Sequence, residues 1–185
     1  MNMLKFALLG FLNYGPMTGY EIKQYMEGST SNFWNAKLSQ IYTALKSLEQ
    51  EGLVHSSMQA QKERPDKRIY TITPEGRSNL QKWLAEPSTE LAQQKDTFLL
   101  KFFFAAQTDK ETALALLHLQ KKLHQRQADF YRTSTRELIE GILKRNPAMQ
   151  KDAIFWEATR RFGELCEETY VRWLVETIKI LEEKL

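Results

Sequence analysis

The sequence predicts a mainly α-helical fold whose N-terminal half carries one two-stranded β-hairpin. Three observations predict this class. Apolar residues recur at intervals of three and four along most of the chain, residues 69–72 are rich in β-branched and aromatic side chains, and a Pro-Ser pair at 87–88 interrupts the pattern. We therefore expect a domain of helices and strands over residues 1–86 and an all-α domain over residues 87–185.

The composition is that of an ordinary folded protein, with 42% hydrophobic and 26% charged residues and a net charge of +3. So small a charge argues against a non-specific nucleic-acid binder. The apolar start is too short to span a bilayer and no cleavage site follows it, so we expect a cytoplasmic protein without membrane contact. The single cysteine, Cys166, excludes an internal disulfide and a multi-cysteine zinc site, and we expect no cofactor or metal.

The first two helices are predicted from their composition and their start signals. Residues 3–13 are apolar almost all round, which is typical of a buried helix. Thr18 and Glu21 have the spacing of a capping box, which predicts a second helix over residues 19–26.

A third helix is predicted over residues 36–51. Asn35 is a good N-cap and Gly52 a good C-terminal stop. Its predicted core face consists of Leu38, Ile41, Leu45 and Leu48.

The next segment predicts a hairpin and a fourth helix. One strand begins at residues 53–54, a charged turn covers 62–68, and a second strand covers 69–72. Thr73-Pro74-Glu75 then starts a helix that runs to about Ala85. The order helix, helix, helix, strand, strand, helix is that of a winged helix-turn-helix.

The second half shows no strand signal. We predict a buried helix over residues 96–107, a long polar helix over 109–144 and a last helix over 154–185, roughly 48 Å long. One face of the last helix is apolar over more length than a small domain can cover, which predicts packing against a second copy of the chain. The predicted dimerisation residues are Phe155, Phe162, Leu165, Tyr170, Trp173, Leu174, Ile178 and Leu181.

In a helix-turn-helix the second helix of the pair lies in the major groove of DNA. On the outer face of residues 36–51, lysines can neutralise phosphates and Gln40 can pair with adenine in two-pronged fashion. The alternative interpretation is an ordinary solvated helix face, and the basic hairpin turn favours DNA. The predicted DNA-binding residues are Lys37, Ser39, Gln40, Tyr42, Thr43 and Lys46 on the helix, and Lys62, Arg64, Lys67 and Arg68 on the hairpin.

These residues resemble the PadR family of transcription regulators over almost all of residues 1–86. The resemblance is carried by Leu4-Lys5-Phe6-Ala7-Leu8-Leu9-Gly10, Gly19-Tyr20-Glu21-Ile22, Phe33-Trp34, Ser39-Gln40-Ile41-Tyr42, Glu51-Gly52-Leu53-Val54 and Arg68-x-Tyr70-x-Ile72-Thr73-x-x-Gly76. The second half is similar to the helical C-terminal domain of the longer members, through Phe98-Leu99-Leu100-Lys101 and Tyr170-Val171-Arg172-Trp173-Leu174. The resemblance implies a homodimeric regulator, usually a repressor, on an inverted-repeat operator in double-stranded DNA.

Some members of the family release DNA when they bind phenolic acids, and others respond to flat aromatic drugs, so a small aromatic effector is a hypothesis for this chain. Candidate effector residues are Phe33, Trp34, Phe103, Trp156 and Arg160. The alternative is that these aromatic residues only fill the junction between the two halves. Phenolic-acid sensors of the family use a histidine early in the last helix, where this chain has Trp156.

The sequence contains no nucleophile elbow, phosphate loop or metal-ligand spacing, so we expect no catalytic residues and no enzyme activity. Three alternatives stay open: a winged helix that binds protein, a ligand-independent activator, and another winged-helix family such as the MarR-like proteins. We interpret His118 and His124 as surface histidines and Cys166 as a buried or interface thiol.

Overall fold

A computed structural model describes residues 3–30, 33–60, 66–91 and 95–185. The chain divides into two compact units, residues 1–91 and 92–185, whereas the sequence predicts the division after residue 86. The predicted class, mainly α-helical with one two-stranded antiparallel sheet in the described residues, is confirmed. In the part of the chain that the structure describes, no helix is both long and apolar enough to cross a membrane.

The first unit begins with α1 (Met3–Asn13) and α2 (Gly19–Ser29). The predicted capping box is present: the backbone N–H of Glu21 donates to Thr18 Oγ1 at 3.1 Å, and the backbone N–H of Thr18 donates to Glu21 Oε2 at 2.7 Å. Helix α2 continues past its predicted end at Met26.

The third helix, α3, spans Leu38–Gln50 and starts later than predicted. Asn35 Oδ1 accepts from the backbone N–H of Ala36 at 2.8 Å and from Lys23 Nζ at 2.9 Å, so Asn35 orders the chain before the helix and is not its N-cap. The placement of Leu38 in the core is wrong, since it is exposed and Ala36 fills the core at this end. Ile41, Leu45 and Leu48 are fully buried, as predicted.

Helix α3 ends in a Schellman motif built on Gly52. The N–H of Leu53 donates to the carbonyl of Leu48 at 2.9 Å, and the N–H of Gly52 donates to the carbonyl of Glu49 at 3.1 Å. Gly52 has φ +71°, a conformation that a Cβ disfavours, so glycine is the natural residue at this stop.

The hairpin pairs β1 (Val54–Gln59) with β2 (Lys67–Ile72) in antiparallel register, from Val54 opposite Ile72 to Gln59 opposite Lys67. Lys67 and Arg68, which were predicted in the turn, therefore lie in a strand. Because the strand begins earlier than predicted, their side chains alternate between the two faces of the hairpin.

Helix α4 (Pro74–Ala85) begins at Thr73, whose Oγ1 accepts from the N–H of Gly76 at 3.0 Å, as predicted. The same hydroxyl donates to the carbonyl of Gly52 at 2.9 Å, which ties the start of α4 to the end of α3. A Cβ added at Gly76 would lie 2.1 Å from the carbonyl oxygen of Leu53, so the close approach of α4 to this corner requires glycine.

One hydrophobic core holds the first unit together, and it draws residues from all four helices and both strands. Phe6 of α1 stacks on Trp83 of α4 with ring centroids 4.7 Å apart. The fully buried large side chains of this core are Leu8, Leu9, Leu12, Ile22, Met26, Ile41, Leu45 and Leu48.

The second unit is helical in its described residues. It consists of α5 (Thr97–Phe103), a 3₁₀ turn (Ala105–Gln107), α6 (Lys110–Phe130), a π-helical turn (Tyr131–Thr135), α7 (Arg136–Arg145), a second 3₁₀ turn (Pro147–Met149) and α8 (Gln150–Lys184). The predicted helix over 109–144 is thus interrupted by the π-helical turn, where the ring of Tyr131 packs on Gly163 of α8.

The prediction of a buried helix over residues 96–107 is wrong. Helix α5 is short, and only Phe98 and Phe102, which lie four residues apart on one face, pack against Trp173 of α8. The other large apolar side chains of this segment are exposed in the single chain: Leu99, Leu100, Phe103 and Phe104.

Candidate nucleic-acid interface

Helix α3 presents an exposed polar face that contains no acidic residue until its last turn. Lys46 lies on that face in the second half of the helix, and Lys37 is the residue before the first turn. The six predicted helix residues are all exposed: Lys37, Ser39, Gln40, Tyr42, Thr43 and Lys46. Cations and hydrogen-bonding groups on one open helix face are the groups that contact phosphates and base edges.

Gln40 has a second role in the structure. Its Oε1 accepts from the backbone N–H of Lys37 at 2.8 Å and so satisfies one of the free donors at the start of α3. A two-pronged pairing with adenine needs the same oxygen as an acceptor, so this side chain has to exchange its cap for the base.

Tyr42 packs its ring edge against the start of α2. A Cβ added at Gly19 would lie 2.7 Å from Tyr42 Cε1, so glycine at 19 allows the close approach. Tyr42 is nevertheless 43% exposed, and it lies four residues before Lys46, on the same side of the helix.

The acidic residues at the end of α3 are neutralised by cations. Glu51 forms an ion pair with Lys5 of α1 and accepts from Ser47 Oγ at 2.9 Å, and the hydrogen bonds from Lys5 and Ser47 lower the pKa of Glu51. Glu49 forms an ion pair with Arg68 at 2.7 Å. The carboxylates nearest the proposed DNA face are therefore compensated.

On the hairpin, the side chain of Lys67 is exposed and makes no hydrogen bond or ion pair among the described residues. Lys62 and Arg64 lie outside the described residues. Arg68 differs from the expectation of a free cation, because its guanidinium is bonded to Glu49 and to Ser56.

A shallow groove of about 610 Å³ runs between the start of α1 and the exposed side of α3. Met3, Leu4 and Ala44 contribute apolar surface, Trp34 contributes an indole, and the polar groups come from α3. The predicted effector residue Trp34 and the predicted DNA-binding residues Ser39, Gln40 and Thr43 thus line one groove.

Of the effector candidates, Arg160 is the one whose surroundings differ most from the expectation. Its Nε and Nη2 donate to the two carboxylate oxygens of Glu157 at 2.7 Å each, and its Nη1 donates to Glu164 at 2.8 Å and to the carbonyl of Tyr131 at 3.1 Å. Arg160 is buried within its own unit, and these two carboxylates already pair its charge. Phe33 and Phe103 are exposed and Trp156 is half-buried.

Glu164 is the centre of this ion-pair cluster. Burial opposes its ionisation, but hydrogen bonds from Arg160 and Arg161 outweigh that effect and lower the pKa of Glu164 to about 2. Arg132 adds a further contact at 3.2 Å from the π-helical turn. The cluster therefore fastens α8 to the end of α6.

The predicted dimerisation residues fall into two groups. Phe155, Phe162 and Leu165 are 65%, 64% and 46% exposed and lie on one face of α8. For the rest, the prediction that the last helix keeps an open apolar face is wrong, because α6 and α5 of the same chain cover it. These covered residues are Tyr170, Trp173, Leu174, Ile178 and Leu181.

The interpretation of His124 as a surface histidine is wrong. Its Nδ1 lies 2.5 Å from Glu167 Oε2 and its ring stacks on Tyr170 at 3.8 Å, while the hydroxyl of Tyr170 donates to Asp96 at 2.9 Å. His118 is exposed, as predicted. Cys166 is exposed in the single chain, so it is not a core thiol, and its place in an interface stays a prediction. Desolvation by neighbouring atoms and the charge of Glu167 raise the pKa of its thiol, which argues against a reactive thiolate.

Sequence reasoning missed the residues that hold the interface in place. Lys5, Glu49 and Ser56 each sit in an element that the sequence predicts, but their partners are distant in sequence. The sequence shows that basic residues are available to pair with Glu49 and Glu51, but the spacing of residues along the chain does not say which basic residue pairs with which acid.

An exposed cationic helix that follows a helix and a turn, beside a two-stranded wing, defines a winged helix-turn-helix of the nucleic-acid-binding class. Family models match both units: the "Transcriptional regulator PadR-like family" over residues 8–82 and "Virulence activator alpha C-term" over residues 94–182. The chain belongs to the PadR-like family of transcriptional regulators. Because its relatives are regulators, the prediction that it is not an enzyme is confirmed.

Individual relatives match over nearly the whole chain. The negative transcriptional regulator PadR of Bacillus subtilis is 30% identical over 186 residues, which is 99% of this chain and 100% of that protein. The crystal structure of Bacillus subtilis PadR in complex with operator DNA has a TM-score of 0.84 at 28% identity and covers 98% of each chain. The structure of the same protein with p-coumaric acid has a TM-score of 0.75 at 26% identity and covers 97% of this chain and 98% of that one.

Proposed function

We propose that this protein is a transcriptional repressor that binds an inverted-repeat operator as a homodimer and is released by a small aromatic effector. The observation that carries the proposal is the exposed face of α3, which bears Lys46, is preceded by Lys37 and has no acid before its last turn. This face lies next to a wing, in a chain similar over its length to a negative regulator whose structure holds operator DNA. The outer residues of α3 read the major groove, and Lys67 touches flanking phosphate.

A homodimer is supported by apolar surface that the single chain leaves open. Phe155, Phe162 and Leu165 form one stripe along the N-terminal half of α8, and α5 exposes Phe103 at 82%. Patches of this kind mark protein interfaces, and a symmetric dimer sets two α3 helices at the spacing that an inverted repeat requires.

The dimer is tested by sedimentation. Phe162→Glu places a charge in the stripe, so we expect a monomer that keeps its fold. Leu84→Glu is the matched control, because Leu84 is 66% exposed in the first unit, outside the stripe. A Phe162→Glu variant that still sediments as a dimer removes the stripe from the interface.

An aromatic effector is supported by the relative that binds p-coumaric acid and by Trp34, which lines the groove beside α3. A flat apolar ring with one or two polar groups suits such a lining. The pairing of Arg160 with Glu157 and Glu164 argues that this arginine is not the anchor for an acid.

The first experiment selects duplexes from a randomised DNA pool with the full-length protein and measures their affinity by fluorescence anisotropy against shuffled duplexes. Enrichment of an inverted repeat, with binding at least a hundredfold tighter than to the shuffled sequence, is the expected result. A pool without enrichment refutes the proposal and favours the protein-binding winged helix. Transcription in vitro from a promoter that carries the selected site then separates a repressor from an activator, and titration with aromatic acids and planar drugs searches for the effector.

A further inference from the structure

The second strand of the wing carries an arginine that is bonded to the end of α3. Arg68 Nη2 donates to Glu49 Oε2 at 2.7 Å, and Arg68 Nε donates to Ser56 Oγ at 2.8 Å. Ser56 Oγ in turn donates to Glu49 Oε1 at 2.5 Å, which closes a ring of three hydrogen bonds. Both carboxylate oxygens and the serine hydroxyl are therefore used, and the guanidinium has two of its donors committed.

The three residues come from three different elements. Glu49 lies in the last turn of α3, Ser56 in β1 and Arg68 in β2. In the hairpin register Ser56 faces Tyr70, which places Ser56 and Arg68 diagonally on one face. The guanidinium also lies 5.5 Å from the ring of Tyr70, a side chain that is itself buried in the core.

The arrangement also corrects an unfavourable charge. A carboxylate in the last turn of a helix meets the negative end of the helix dipole, and it would repel a nearby phosphate. Arg68 compensates Glu49 in both respects. The charge of Arg68 is paired with Glu49, so it attracts a phosphate less than a free cation does. The side chain of Lys67 next to it is exposed and makes no hydrogen bond or ion pair among the described residues.

We propose that Arg68 is a positioning residue: with Glu49 and Ser56 it fixes the angle of the wing to the DNA-reading helix and does not itself bind phosphate. The inference rests on the proposed DNA-binding function. It assigns to Arg68 a role opposite to that of its neighbour Lys67, although both are basic residues on the same strand.

The test compares Arg68→Ala, Arg68→Lys, Glu49→Gln and the double variant Glu49→Gln/Arg68→Ala, with Lys67→Ala as the matched control. Affinity for the selected operator is measured over a range of salt concentrations. We expect Arg68→Ala and Glu49→Gln each to weaken operator binding about five- to tenfold, and the double variant to be no weaker than either single one. Arg68→Lys does not rescue, because an ammonium group cannot bridge both partners in the same fork geometry.

The salt dependence separates positioning from contact. Loss of a phosphate contact lowers the slope of log affinity against log salt by about 0.9 per contact, so Lys67→Ala lowers it by about 1.8 in a dimer. Arg68→Ala is expected to leave the slope unchanged. If Arg68→Ala lowers the slope as Lys67→Ala does, and Glu49→Gln tightens binding by freeing the arginine, Arg68 is a DNA contact and the inference is overturned.

A measurement without DNA keeps the inference separate from the proposed function. Hydrogen exchange of the backbone amides in β1 and β2 reports how firmly the hairpin is held. We expect faster exchange in Arg68→Ala and in Glu49→Gln, no further increase in the double variant, and no change in Lys67→Ala. Unchanged protection in the two single variants refutes the positioning role, even if the wild-type protein shows no operator specificity.

Discussion

Lys46 offers the most direct test of the proposed DNA face. It is exposed in the second half of α3, and its side chain makes no hydrogen bond or ion pair among the described residues, so Lys46→Ala removes a charge without breaking a polar contact in the protein. Each neutralised phosphate contributes about 0.9 to the slope of log affinity against log salt. A homodimer uses the residue twice, so we expect the slope to fall by about 1.8.

Between 50 and 200 mM salt this difference makes the wild-type protein lose about tenfold more affinity than the variant. The assay is fluorescence anisotropy on the selected operator and on a shuffled duplex, since a phosphate contact weakens binding to both alike. Lys122→Ala is the control, because Lys122 is exposed on α6 of the second unit. A fall of about 0.9 indicates that one copy of Lys46 contacts DNA, and an unchanged slope refutes the placement of this face against DNA.

Three further predictions concern single side chains. Gly76→Ala places a Cβ 2.1 Å from the carbonyl oxygen of Leu53, so we expect the free energy of unfolding in urea titrations to fall by about 2 kcal/mol. The control is Gly10→Ala, whose added Cβ has no atom within 4 Å and which is expected to raise that free energy by about 0.5 kcal/mol. Equal effects of the two variants contradict the packing of the corner at Gly76. Glu164→Gln lowers the free energy of unfolding at pH 7 by about 3 kcal/mol. The pKa of Glu164 is about 2 in the folded protein and ordinarily 4.5, so the stability difference from wild type is complete above about pH 4.5 and shrinks as the pH falls towards 2. A stability difference that stays constant with pH contradicts the ion-pair assignment of Glu164. Gln40→Ala relaxes operator discrimination by about 1–3 kcal/mol in competition assays, and retained discrimination shows that Gln40 only caps its helix.

The first unit could be predicted from the sequence almost element by element, because its signals are local. The capping box of Thr18, the cap of Thr73 and the stop at Gly52 act within a few residues, and each is present in the structure. The start of α3 could not be predicted. Asparagine is a preferred N-cap residue, but the side-chain oxygen of Asn35 accepts a hydrogen bond from Lys23 on another helix.

The second unit was less predictable because its apolar faces have several possible partners. The stripe on α8 indicated burial correctly, but periodicity does not say whether the cover is a second copy or α6 of the same chain. Leu174 and Ile178 are buried by α6, whereas Phe162 is left open. For α5 the density of aromatic residues predicted burial, while a helix of this length has only one face to bury, which Phe98 and Phe102 occupy.

In the candidate site, the exposed residues of α3 could be predicted as those outside its apolar core face. Which basic residues pair with acids of the protein and which are left for DNA could not be predicted. Arg68 and Lys67 are neighbours of the same type in the sequence. Only the position of Glu49 in three dimensions distinguishes them, and Arg68 lies nineteen positions after Glu49 in the sequence.

The corner at Gly52, Thr73 and Gly76 bears on how the regulator can diverge in evolution. It anchors α3 through backbone groups at the far end of the helix, while Ser39 and Lys46 point outward and carry none of that anchoring. A gene duplicate can therefore change its target sequence by substitutions at these outward positions without first finding compensating mutations in the fold. Gln40 is the exception: because it also caps the helix, a change there alters stability and target together, and lineages that retarget are expected to keep a hydrogen-bond acceptor at that position.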